Sequence, residues 1–73
     1  MNGIELKKLR TEAGMTQAEL AEGLGYFSKG KPNRSIVARW ENNHQAINSR
    51  IEKAIIVTIN EKREVGNVSS IRQ

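Results

Sequence analysis

The stretch Thr16-Gln17-Ala18-Glu19-Leu20-Ala21-Glu22-Gly23-Leu24-Gly25 reads as one short helix with both ends marked. The Thr16 hydroxyl can cap the first turn, and Glu19, three residues on, can reach back to the Thr16 amide. Met15, just before the cap, can pack on Leu20 as a hydrophobic staple. Gly25 can take the left-handed conformation that ends a helix. Leu20, Ala21 and Leu24 then share one side of about two turns. So short a helix does not hold itself together in water. It has to be clamped between neighbours, and the small Ala21 lets one of them come close.

The flanking sequence supplies those neighbours. A first helix is expected from Gly3 to Ala13: Asn2 and Glu5 repeat the capping-box pattern, Leu6, Leu9 and Ala13 share a face, and Gly14 stops it. Residues 26–32 read as a loop because of Gly30 and Pro32. A third helix is expected from Arg34 to Asn42 with Asn33 as N-cap, since Pro32 disfavours helical geometry at Lys31. Asn42-Asn43-His44-Gln45 is a polar turn. A fourth helix is expected from Ser49 to Lys62, capped by Asn48 or Ser49, with Ile51, Ala54, Ile55, Thr58 and Ile59 as its stripe. The β-branched run Ile55–Ile59 also has strand propensity. From Val65 to Gln73 the pattern is ambiguous. Gly66 and the Ser69-Ser70 pair weaken a helix, while Val65, Val68 and Ile71 recur every three residues. Short helices meeting steeply through a small residue make the helix-turn-helix plan. The expected architecture is all-α, four to five helices, with a domain over residues 1–62 and a C-terminal tail over residues 63–73.

Seventy-three residues make one domain, and a chain of this size buries only about 60% of its unfolded surface. There is no Cys to supply a disulfide or a thiolate metal site. No apolar run approaches the roughly 20 residues of a membrane span, and Met1–Glu5 lacks the order of a signal peptide. A cytoplasmic protein with no membrane partner is the default expectation. The net charge of +4 is unevenly spread. Residues 1–25 are net −1, whereas residues 26–43 carry Lys29, Lys31, Arg34 and Arg39 against Glu41 alone, net +3. Such a basic cluster suits either a solvated surface or a polyanion.

The third helix decides between these. Ile36, Val37 and Trp40 lie within an arc of about 100° and should face the core. The opposite arc carries Ser35, Ala38, Arg39 and Asn42, with Arg34 at its edge. Short hydrogen-bonding groups with Arg suit base edges in a major groove, where Arg favours guanine and Asn favours adenine. The same chain is poor in catalytic chemistry: it has one His, His44, and neither Asp nor Cys. Its glycines do not form a phosphate loop between strand and helix, and nothing has metal-ligand spacing. No enzyme activity, cofactor or metal is expected.

Residues 6–43 resemble the Cro/lambda-repressor-like helix-turn-helix domain, the XRE family. The matching text is Leu6-Lys7-Lys8-Leu9-Arg10, Gly14-Met15-Thr16-Gln17, Glu19-Leu20-Ala21 with Leu24-Gly25, and Arg39-Trp40-Glu41-Asn42. The resemblance implies that Gln17 binds the DNA backbone and braces the recognition helix. It also implies that Arg10 pairs with Glu41, and that Trp40 is core. One departure stands out: Phe27-Ser28-Lys29-Gly30-Lys31-Pro32 looks like an insertion of six. Either it bulges outward and lays Lys29 and Lys31 on phosphates, or it shifts the start or angle of the third helix.

The resulting expectation is a transcriptional regulator, a repressor of palindromic DNA acting as a homodimer. Small proteins of this type resemble phage or mobile-element repressors. Arg34, Ser35, Ala38, Arg39 and Asn42 would face bases. Thr16, Gln17, Lys29, Lys31, Asn33 and Asn43 would hold the backbone. Ile56 and Val57, off the main stripe, could meet Val65, Val68 and Ile71 within one chain or form a two-fold seam. The rival expectation is an antitoxin-type module that masks a partner protein, because fold alone does not fix function.

Overall fold

Asn2 and Thr16 open the first two helices with reciprocal caps. In α1 (Gly3–Glu12), Asn2 Oδ1 accepts from the Glu5 amide at 2.8 Å, and Glu5 Oε1 accepts from the Asn2 amide at 3.0 Å. In α2 (Gln17–Leu24), Thr16 Oγ1 accepts from the Glu19 amide at 3.1 Å, and Glu19 Oε1 accepts from the Thr16 amide at 2.8 Å. The Thr16 amide, together with Lys62 Nζ at 3.1 Å, holds the Glu19 carboxyl below its ordinary pKa. Gly14 and Gly25 follow the two helices at φ +70° and +83°, a left-handed turn that glycine makes without strain.

The computed structural model describes residues 1–71, with side chains for residues 1–62. Two further helices complete it, α3 (Arg34–Glu41) and α4 (Ser49–Ile71). Asn48 caps α4, its Oδ1 accepting from the Ile51 amide at 2.8 Å. The helix runs on past Lys62, so the expected tail is, through Ile71, a continuation of α4. The side chains of Val65, Val68 and Ile71 lie outside the described residues.

α2 is the centre of the packing: α3 lies on one side and α4 on another, while α1 packs on α3. Leu6, Met15, Leu20, Ala21, Val37, Trp40, Ile55 and Ile59 are the buried core. Ala21 is fully buried, and a β-carbon at Gly23 would sit 2.5 Å from the Thr58 methyl, so α2 meets α4 through its smallest residues. Ala54 is exposed, although it shares the expected stripe of α4 with Ile51 and Ile55. On that stripe Ile55 and Ile59 are buried and Ile51 and Thr58 half-buried, because α4 packs chiefly along the short α2 and only a thin seam is covered. Trp40 is the largest fully buried side chain, and the Tyr26 ring meets it edge-on at 5.6 Å between centroids. The indole N–H has no partner among the described residues, a cost set against the large area the ring buries.

The segment expected to be a loop is a two-stranded antiparallel hairpin. β1 (Phe27–Ser28) pairs with β2 (Lys31–Pro32) in the register Phe27 opposite Pro32 and Ser28 opposite Lys31. Lys29 and Gly30 form the two-residue turn with φ of +53° and +78°, the signs of a type I′ turn. The hairpin absorbs the inserted residues, so α3 still starts at Arg34. Asn33 occupies the N-cap without a side-chain cap bond; its amide donates instead to the Tyr26 carbonyl at 2.8 Å.

The start of α1 rests on the end of α3. Gly3 is buried, its amide donates to Asn43 Oδ1 at 3.0 Å, and a β-carbon there would collide with the backbone carbonyl oxygens of Trp40 and Glu41. The Met1 amino group adds an ion pair to Glu52 of α4. Gly3→Ala should therefore destabilise the domain by about 1–3 kcal/mol despite the better helix propensity of Ala, as overpacking does. Chemical denaturation checks this, with Ile4→Ala, at an exposed neighbouring position, as the near-neutral control.

Candidate nucleic-acid interface

Glu41 closes α3 with a carboxylate that is almost wholly buried, and three donors converge on it. Arg10 Nε donates to Oε2 at 2.5 Å, Arg10 Nη2 to Oε1 at 3.2 Å, and Gln17 Nε2 to Oε1 at 3.1 Å. Arg10 Nη1 donates to the Met15 carbonyl at 2.8 Å. One carboxylate thus joins α1, the start of α2 and the end of α3. The bidentate fork of Arg10 suits this, because its planar donors fix direction as well as distance. The pairing of Gln17 with Glu41 spends one amide proton on the brace and leaves the side chain half-buried at the helix start.

Burial of Val37 and Trp40 turns the other side of α3 outward. Arg34, Ser35, Arg39 and Asn42 are exposed, and Ala38 is half-buried among them. The face therefore presents two guanidinium groups, a hydroxyl and an amide around a shallow centre. Thr16 is exposed beside Gln17, although its hydroxyl oxygen already accepts from Glu19. Lys29 and Lys31 are exposed on the hairpin, at the other end of α3. Asn33 is half-buried at the base of that hairpin. Asn43 has a structural partner: at φ +59° it turns its side-chain oxygen to the Gly3 amide.

Sequence reading missed the contribution of α1. Lys7, Lys8 and Thr11 line a groove with Gln17, Glu41 and Asn42, alongside the buried Arg10. The signal was present, since Lys7 and Thr11 are one turn apart, away from the Leu6 face. Among the described residues, no group of three His, Cys, Asp or Glu side chains converges as metal ligands, and no helix is long and apolar enough to cross a membrane.

A family model described as helix-turn-helix matches residues 6–61. The chain belongs to that family, in its Cro/lambda-repressor-like (XRE) form, and it is a DNA-binding transcription regulator of this type. The match runs through the hairpin and well into α4, so the inserted segment does not break the family plan. No curated protein and no solved structure matches the chain.

Arg10→Ala should destabilise the domain by about 3–5 kcal/mol, because it strands the buried Glu41 carboxylate without its counter-charge. The double change Arg10→Met with Glu41→Leu should recover much of that loss. Urea titration of the single and double variants reads both; equal losses in the two would place the energy in packing rather than charge.

Proposed function

We propose that the protein is a repressor that binds a palindromic operator as a homodimer, with α3 in the major groove. The observation that carries this reading is the outward face of α3. Its polar residues are exposed as a set, while Glu41 fixes the helix to the start of α2. Arg39 and Asn42 are the base readers in this reading, guanidinium to guanine and amide to adenine, with Ser35 and Ala38 beside them on the same face and Arg34 on base or phosphate. Thr16 and Gln17 take the backbone at one end of α3, and Lys29, Lys31 and Asn33 take it at the other. Asn43 keeps only its amide N–H donors for that purpose.

The homodimer is supported by Ile56 and Val57, neighbouring apolar residues that α4 leaves 40% and 53% exposed. A domain of this size gains a more complete core from a second copy. Two copies related by a two-fold axis would present two α3 helices to half-sites one helical turn apart, roughly 34 Å. The same apolar pair is the feature an antitoxin-type module would offer to a partner protein.

Selection from a pool of random duplexes tests the reading directly. The protein should enrich a two-fold symmetric sequence, and Arg39→Ala should cost about 1–3 kcal/mol and relax one symmetric pair of positions. Uniform weakening across all sequences would put Arg39 on phosphate, and no enrichment would favour the protein-masking role. In sedimentation at micromolar concentration the chain should run as a dimer, and Val57→Asp should run as a folded monomer. A monomeric wild-type protein, with and without the selected duplex, would remove the dimer.

A further inference from the structure

Lys29 sits at φ +53° in a tight turn where Asn or Gly would rest more easily. Backbone strain in a non-glycine residue is retained where the side chain has a use. The surroundings say what that use is. Between Glu22 and Glu41 the chain has no acidic residue, and Lys29, Lys31 and Arg34 lie within the hairpin and the first turn after it. Phe27 is 53% exposed and stands opposite Pro32, whereas Tyr26, one residue earlier, reaches the buried Trp40 ring. Tyr26, just before β1, lays its ring edge-on against Trp40 while staying 38% exposed, and Phe27, the next residue, is turned outward. The Asn33 amide bond to the Tyr26 carbonyl ties the base of the hairpin to the N-cap of α3. Wherever the start of α3 goes, the hairpin goes with it. Arg34 and Ser35, at that start, belong to the exposed face of α3 that the reading above lays on DNA.

We propose that the β1–β2 hairpin is a second DNA-contacting element, a wing that lays Phe27 and its lysine tip on the sugar–phosphate backbone beside the groove that α3 enters. Lys29, at the turn, meets phosphate, and Phe27, on the face it shares with Pro32, packs its ring on deoxyribose, a contact indifferent to base sequence. The wing extends the footprint outward from each half-site without adding bases to the recognition code. It rests on the DNA-binding reading of α3 given above.

The test uses the full chain on the duplex it selects, with affinity measured against salt and the backbone mapped by hydroxyl-radical footprinting. Phe27→Ala should bind about tenfold more weakly, the scale for leaving one large apolar side chain in water. Its salt slope and its preferred bases should be unchanged, and backbone protection should be lost only at the outer edge of each half-site. Lys29→Asn should melt at a higher temperature, because Asn suits the turn, yet its salt slope should fall by about 0.9. The double variant Phe27→Ala/Lys29→Asn keeps the hairpin closed with the better turn residue and should still bind about tenfold below Lys29→Asn. If Phe27→Ala binds within about twofold of wild type with the same footprint, the wing is overturned and the reading by α3 stands. If the wild-type chain selects no duplex, both fall together.

Discussion

Glu41 stands where three pieces of chain must agree. Its carboxylate lies inside the domain, so its donors have to come to it, and they come from α1 and from the start of α2. Bringing an ion pair out of water costs several kcal/mol per ion, and the attraction between the partners roughly repays that cost. Net stability is therefore a weak explanation for the pair. Direction is a better one. The fork of Arg10 and the amide of Gln17 donate to Glu41 in one orientation, which holds the rotation of α3 about its own axis. Burial of Val37 and Trp40 selects that rotation, with Arg39 and Asn42 outward, and the donors to Glu41 lock it.

Close approach at small residues does the complementary work. α2 and α3 have eight residues each, too few to persist alone in water. They persist because Ala21 and Gly23 let α3 and α4 press against α2, and because Gly3 lets α1 abut the last carbonyls of α3. The left-handed Asn43 completes that junction by accepting the Gly3 amide. The end of α3 is thereby held by backbone contact as well as by charge.

The parts of this design that were legible in the sequence are the local ones. Asn2 with Glu5, Thr16 with Glu19, Gly14 and Gly25 announce themselves because a cap and its partner lie within one turn. The family match over residues 6–61 shows the helix-turn-helix plan that the Thr16–Gly25 stretch implied. What escaped was non-local or atypically spelled. The Asn43–Gly3 bond spans 40 residues and follows no periodic pattern. The hairpin was hidden because its turn is Lys-Gly, where Asn-Gly or Asp-Gly is the usual signal, and because its strands are two residues each. The groove along Lys7, Lys8 and Thr11 needed the position of α3 before it could be seen.

These two halves of the structure meet in α3. Eight residues rise about 12 Å, so the helix is short enough to be fixed by contacts at its two ends. The C-terminal end is fixed by Glu41 and its donors. The N-terminal end is fixed by the Asn33–Tyr26 backbone bond, and Tyr26 in turn rests on Trp40 from α3 itself. The hairpin is thus attached to the recognition helix at its base and again through an aromatic contact. The left-handed Lys29 and Gly30 close the 27–32 segment into a hairpin, which converts an insertion into an element tied to the helix it precedes.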